Sequence, residues 1–438
     1  MKVCKFGGTS MATAESMTRV AEIIKMDPSR KYIVVSAAGK RFKEDIKVTD
    51  ILYSCYYAVR DYQTCSKAFA PIRERYTEII KQLNIDVNAD DFFNEIEKQI
   101  DKERSLDFTL SRGEYISAYL MAKVLGYNFV DAADLIRFAS NGSLNSEYTN
   151  DKVSIALQDK ENAVIPGFYG KDAYGKIKTF SRGGSDITGS IIARGVKAEV
   201  YENWTDVSGF LACDPRIVDN PISISELTYA EIRELSYMGA MVLHSDSIIP
   251  AQKGNIPINI KNTFKPEDKG TLIVPTDKYH PHGNFVTGIA GKKNFAVITI
   301  EKSMMNTEVG FCRKVLTVFE NFGIPVEHVP SGIDTLSVVI SNEYIKNGVL
   351  NELITGLREN VQPDYISVVD NISLIATVGH GISGKAGMAA RLLKSLAENN
   401  INLRLIDQGS SELNIIIGVD NIHFEDSVKA IYNEFFNN

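Results

Sequence analysis

A chain of 438 residues exceeds one ordinary domain, and its 44% hydrophobic and 24% charged content is that of a globular protein with an ample core. Its 48 Lys+Arg against 55 Asp+Glu give a formal charge of −7, which argues against nucleic acid or an anionic membrane as partner and leaves room for a local basic pocket. The five cysteines (Cys4, Cys55, Cys65, Cys213, Cys312) are never spaced as CxxC, so no protein-held metal and no disulfide framework is expected. With no apolar leader and no membrane-length segment, a cytoplasmic protein is expected.

The first stretch, KVCKFGGTS at residues 2–10, runs from a β-prone segment containing Lys5 into Gly7 and Gly8, then toward an amphipathic helix marked by Met17, Val20, Ala21 and Ile24. Glycines admit an anion close to the backbone, and a helix start favours negative charge, so the bend has the shape of a phosphate cradle with a lysine beside it. A plain βα turn with a surface lysine is the competing reading. Residues 32–36 (YIVVS) read as a buried strand and 48–62 as a second long helix. A helix over 114–125 closed by Gly126 and a strand at 128–131 follow. Strands are expected at 163–165, 177–180 and 198–201, with helices near 186–194 and 229–253. This alternation predicts an α/β fold, a mainly parallel sheet sandwiched by helices, with ligands beyond the carboxyl ends of the strands.

Residues 181–189 (SRGGSDITG) form a second glycine-rich bend between a strand and a helix. Arg182 offers a planar fork for carboxylate or phosphate, and Gly183, Gly184 and Ser185 offer donors. Asp186 stands where the helix begins, as a capping carboxylate or as part of a site. In YENWTDVSGFLACDPR (201–216), Thr205, Asp206, Asp214 and Arg216 read as turn residues or as a nucleotide rim. LSRGE (110–114) places Glu114 at a helix start, where capping competes with recognition of an amine. Ser36 and Thr49 are small hydroxyl donors or caps.

After residue 262 the pattern changes. Residues 263–284 hold three prolines and read as a connector. Beyond it the chain repeats: shifted by 77 places, Gly310 falls on Gly387, Val315 on Leu392, Ile324 on Ile401, Leu336 on Leu413 and Ile340 on Ile417, with no gap. Each copy reads as a βαββαβ unit.

KFGGTS, VVSA with a following VTD, LSRGE, FSRGGSDITG, WTDVSGF with DPR, and MGAMVLH together resemble the aspartate kinases of the amino acid kinase superfamily, over essentially the whole chain. The resemblance implies a catalytic domain at 1–262, a connecting segment at 263–290, and two ACT (ferredoxin-like) modules at 291–362 and 363–438. It implies phosphorylation of the aspartate β-carboxylate with ATP and Mg2+, at the head of lysine, threonine and methionine biosynthesis. Lys5, Phe6, Gly7 and Gly8 would hold ATP phosphates, and Asp186 would organise the catalytic Lys5. Ser36, Thr49, Glu114, Arg182 and Ser185 would bind aspartate, while Thr205, Asp206, Leu211, Asp214, Arg216 and Met241 would line the nucleotide. Leu211 stands where the family usually has a tyrosine and Met241 where it usually has a lysine, with Lys253 or Lys261 as neighbouring cations that could compensate. Lysine, threonine or both are expected as effectors at Met304, Met305, Asn306, Val309, Gly310, Phe311, Ser331 and Asp334. Residues 408–412 and Asn414 could complete that site, and the modules would pair the chain into a homodimer or tetramer. The alternatives are a kinase for glutamate or N-acetylglutamate, which Arg182 with Glu114 distinguishes because an N-acylated substrate has no ammonium, and an amino-acid sensor with a decayed kinase domain.

Overall fold

The computed structural model describes residues 1–437 except 182, 241, 242, 244, 281 and 282. The chain divides into two compact units, one of residues 1–210, 223–232 and 242–280, the other of residues 211–222, 233–241 and 281–438.

In chain order the first unit contains β1 (Lys2–Phe6), α1 (Ala14–Lys25), β2 (Arg30–Val35), α2 (Val48–Arg60), α3 (Ser66–Gln82), α4 (Ala89–Glu103) and α5 (Leu106–Leu125). Then come β3 (Asn128–Phe129), α6 (Ala132–Leu135), α7 (Ser146–Gln158), β4 (Ala163–Pro166), a hairpin of β5 (Tyr169–Lys171) and β6 (Ile177–Thr179), α8 (Gly184–Gly195) and β7 (Val200–Thr205). It ends with β8 (Glu226–Thr228), the start of α9 (Tyr229–Tyr237), α10 (Ile249–Lys253), β9 (Ile258–Asn262) and β10 (Thr271–Val274). One sheet runs β3-β4-β2-β1-β7-β9-β10-β8 and is parallel from β3 through β9, with β10 antiparallel to β9.

The last four residues of β1 and of β2 are all buried, the signature of strands covered on both faces. Phe6 pairs with Val35 on one side and Trp204 on the other. The carboxyl ends of β1, β2 and β7 are therefore level, and Gly7, Ser36 and Thr205 emerge along one edge. The core under α1–α5 joins Met17, Val20, Ile33, Leu52, Phe69, Phe93 and Leu120.

Four expectations change. The glycine bend does not run straight into α1: it opens a short 3-10 turn over Gly8–Met11, and Thr13 caps the helix through a capping box with Ser16. α5 begins at Leu106 with Ser105 as its cap, so Glu114 sits mid-helix. The single helix expected over 229–253 stops at Tyr237, followed by Gly239 at φ 107°, a backbone angle no right-handed helix can contain. The connector at 263–290 is not purely a linker: Thr271–Val274 joins the sheet between β9 and β8, and residues from Gly288 open the next long strand.

The second unit contains β11 (Gly288–Glu301), α11 (Phe311–Asn321), β12 (Thr335–Ser341), α12 (Val349–Val361), β13 (Tyr365–Val378), α13 (Met388–Glu398), β14 (Leu405–Asp407), β15 (Asn414–Asp420) and α14 (Phe424–Tyr432). The sheet runs β12-β11-β13-β15-β14. The offset of 77 carries β11 onto β13 and α11 onto α13 residue for residue. Gly310 and Gly387 precede their helices at φ 84° and 88°, and Asn294 and Asn371 interrupt the long strands at φ 71° and 57°. Across the expected boundary at 362/363, Tyr365–Val369 of β13 pair with Glu301–Val297 of the first copy. Each long strand serves both modules.

Candidate active site

The two glycine bends, far apart in sequence, meet at the carboxyl edge of the first sheet. Lys5 points to the α8 side of β1, and its Nζ lies 2.6 Å from Asp186 Oδ1, with the side chains 10% and 20% exposed. α8 reaches this close because position 189 is glycine: a Cβ there would stand 2.5 Å from Tyr201 Oη. Gly183, in the left-handed region at φ 58°, is itself the N-cap and brings no side chain to cap the helix, which puts Asp186 three places inside it. The capping reading of Asp186 therefore fails, and its carboxylate serves Lys5 instead. A Cβ on Gly7 would lie 3.8 Å from Lys5 Nζ, so the ammonium sits directly under the first bend.

The loop after β2 closes against that bend. Gly39 N–H donates to Gly8 O at 2.7 Å, and a Cβ on Gly8 would fall 2.8 Å from Ala37 O. Only glycine permits that approach. Ser36 N–H donates to Phe6 O at 3.1 Å. Thr49 stands half-buried in the first turn of α2. Ser185, 9% exposed, packs on Gly167 at the end of β4.

Glu114 is 7% exposed, and its Oε2 has no hydrogen-bond partner among the described residues. Burial pushes its carboxyl up to about 8, against the opposing pull of the Ala37 and Glu114 backbone N–H groups and the Arg112 charge. A buried carboxylate with an open oxygen favours a cation from outside. Arg112 does not fill that place: its guanidinium lies between the Phe108 and Tyr115 rings, 4.4 Å from each centroid.

Two groups went unread in the sequence. Arg75 of α3, 4% exposed, donates to the carbonyls of Ala12 and Gly39 and pairs with Asp45 at 3.3 Å, fastening both loops from below. An arginine two places from Arg73 in an amphipathic helix gives no advance sign of this. Asn203 of β7, 2% exposed, donates to Asp186 Oδ1 at 2.9 Å. A polar side chain inside an otherwise buried strand was the available signal.

The opposite face of the same strands is a structural cluster. Glu202 accepts from Arg30 Nε at 2.8 Å, Lys2 Nζ at 3.2 Å and Trp204 Nε1 at 3.0 Å. Burial pushes its carboxyl up, yet Arg30 and Lys2 outweigh that and hold it below the ordinary value. Lys261 belongs to this face, 5.3 Å from the Trp204 ring centroid, and donates to Asp268 O at 2.7 Å. It therefore cannot serve as the compensating cation beside Lys5. Lys253 is exposed on α10.

Of the remaining expected residues, Arg182 and Met241 lie outside the described residues. Thr205 Oγ1 donates to Asp206 Oδ1 at 3.2 Å at the end of β7. Leu211, Asp214 and Arg216 belong to the second unit, where Arg216 and Asp214 pair with each other at 2.6 Å.

The expected effector residues surround one loop of the second unit. Met304, at φ 62°, donates its N–H to Asp334 Oδ1 at 2.9 Å, and Met304, Asn306, Val309, Gly310 and Ser331 are exposed. Met305 and Phe311 depart from expectation: their side chains fill the core at 6% and 2% exposure, leaving only backbone for a ligand. Asn414 is committed to Glu234 at 2.7 Å, and Glu412 accepts the Gly384 N–H at 2.6 Å.

The model of the amino acid kinase family matches residues 1–262, and an ACT domain model matches residues 375–435. Aspartokinase 3 of Bacillus subtilis (strain 168) is 37% identical over 450 residues, spanning 100% of this chain and 99% of the relative. The crystal structure of Clostridium acetobutylicum aspartate kinase, described as an allosteric enzyme, has 47% identity and a TM-score of 0.92 over 99% of both chains. E. coli aspartokinase III in complex with aspartate and ADP has 22% identity and a TM-score of 0.75 over 100% of both chains, a likeness of fold.

Proposed function

The chain belongs to the amino acid kinase family and is an aspartate kinase, and on that premise we propose that it makes 4-phospho-L-aspartate by moving the γ-phosphoryl group of MgATP to the aspartate β-carboxylate. The observation that carries this reading is the Lys5–Asp186 pair where the two glycine bends meet, with the open oxygen of Glu114 in the same unit.

A carboxylate with an ordinary pKa of about 3.9 is ionised at neutral pH, so the nucleophile needs no general base. The barrier is repulsion between two anions, and what the chain must supply is positive charge and alignment. Lys5 supplies the charge, and Asp186 holds it in place. The magnesium that accompanies the nucleotide neutralises phosphate charge. The β-carboxylate oxygen attacks phosphorus as the bond to ADP breaks, and ADP leaves. Glu114 receives the α-ammonium, and Ser36, Thr49 and Ser185 bound the same pocket, with Arg182 assigned to the α-carboxylate. Thr205 and Asp206 are assigned to the nucleotide.

The reaction opens lysine, threonine and methionine biosynthesis in this reading, and the duplicated modules restrain it when lysine, threonine or both bind at the Met304–Asp334 loop. The allosteric character of the Clostridium relative supports this, as does the exposure of Met304, Val309 and Ile333 at 65%, 96% and 71%, which favours pairing of two copies through the first module. Hydroxylamine trapping of acyl phosphate over aspartate, glutamate and N-acetylglutamate, with and without lysine and threonine, tests both parts. Product from aspartate alone is expected. No trapped product from aspartate ends the kinase assignment, and rates unchanged by both effectors end the regulatory one.

A further inference from the structure

We propose that Asn203 is a positioning residue for phosphoryl transfer, holding Asp186 so that the Lys5 ammonium stays beneath the glycine bend. The inference rests on the Lys5–Asp186 reading above. Strand β7 alternates its side chains, so Tyr201 and Asn203 both face α8 while Glu202 and Trp204 face away. Those two neighbours grip one residue at two points. Tyr201 Oη donates to the Asp186 carbonyl at 3.1 Å, and Asn203 Nδ2 donates to Asp186 Oδ1 at 2.9 Å and lies 3.4 Å from Tyr201 Oη.

The choice of oxygen matters. Oδ1 also receives Lys5 Nζ at 2.6 Å, so the amide takes a second acceptor direction on the oxygen that already binds the ammonium. With Oδ1 fixed this way, the carboxylate cannot swing to clasp Lys5 with both oxygens. A two-oxygen grip would draw the ammonium toward α8 and screen the charge the transferred phosphoryl group must meet. An amide is suited to this task because it donates without titrating, so the brace holds at any pH at which the pair itself exists. Its burial at 2% exposure shields the amide itself from competing water.

The test is a double-mutant cycle on the full chain. Asn203→Leu removes the donor at similar volume. We expect kcat to fall about tenfold, the loss of one hydrogen bond to a charged group, with the aspartate KM within about twofold of wild type. Asp186→Asn should lower kcat further, and adding Asn203→Leu to it should cost nothing more, because the residue through which Asn203 acts is already altered. If the two losses multiply, Asn203 acts elsewhere and the proposal is wrong. If Asp186→Asn leaves kcat untouched, the Lys5–Asp186 assignment itself falls. Should Asn203→Leu fail to fold, Asn203→Ala removes the same donor while leaving room for a water in its place. It should show the same pattern with a smaller loss of kcat, and losses that multiply would again overturn the proposal.

Discussion

The two faces of strands β1 and β7 carry the same kind of chemistry toward different ends. On the α8 face a lysine and an amide meet on one aspartate oxygen, and both charged side chains keep some exposure. On the other face Lys2 and Arg30 close around a Glu202 that is 2% exposed, and Arg30 stacks 5.1 Å from the Trp204 ring centroid. Residues one step apart in sequence, Glu202 and Asn203, thus serve opposite faces. A sealed, fully partnered cluster holds strands together, whereas a pair left at the sheet edge can be shared with a substrate. The difference lies in which groups keep an open position, not in how many charges are present.

The sharpest way to break this contrast is Lys5→Met. Turnover should fall by at least about a hundredfold, the cost of removing one preorganised donor to a developing charge, while the melting temperature moves by less than about 5 °C. A large loss of stability with activity retained would reverse the roles of the faces. Glu202→Ala should do the opposite. It strands Lys2 and Arg30 without their carboxylate and should destabilise by about 3–5 kcal/mol, read by thermal melting, with kcat of the folded enzyme near wild type. The Glu202 carboxyl is held below its ordinary value, so its contribution is present above the ordinary carboxylate range and lost as pH falls through the lowered value. Wild type should lose stability on acidification more steeply than Glu202→Gln.

Glu114 tests the site face by pH. Its carboxyl is raised to about 8, so the folded protein keeps a proton there that the unfolded chain has already released. The stability of the buried neutral form is fully present below the ordinary carboxylate value and is lost as pH rises from there toward about 8. Substrate ammonium favours the ionised form, so the aspartate KM should fall as pH approaches 8. Glu114→Gln should raise that KM about tenfold, abolish its pH dependence and flatten the fall in stability. A KM unaffected by Glu114→Gln would remove Glu114 from the substrate pocket. The smallest effect belongs to Lys261→Met on the structural face, where the KM for ATP should stay within about twofold. A larger rise would mean that the two faces are not independent.

What could be read ahead of the structure was whatever depends on local pattern. Four-residue buried strands, glycine bends at strand ends and a 77-residue repeat all follow from spacing, because strand and helix periods are properties of the backbone. The repeat was legible to the level of single helices, since α11 and α13 coincide under the shift. Boundaries were less so: Glu114 moved from the start of a helix to its middle, and Thr271–Val274 left a linker for a sheet. Both depend on which distant strand or helix is available to pair with, and that is not written in a local window.

By itself the chain determined the alternation of strands and helices, the two cationic glycine bends and the duplicated module, all consequences of residue type and period. Only the tertiary structure decided that Lys5 meets Asp186, that Asn203 braces that contact, that Lys261 falls on the wrong face to help, and that Met305 and Phe311 are core. Those facts turn on which side of an element faces which distant neighbour, and on strands β1, β7 and β9 a one-residue change of register would have exchanged the faces that separate Lys5 and Asn203 from Glu202 and Lys261.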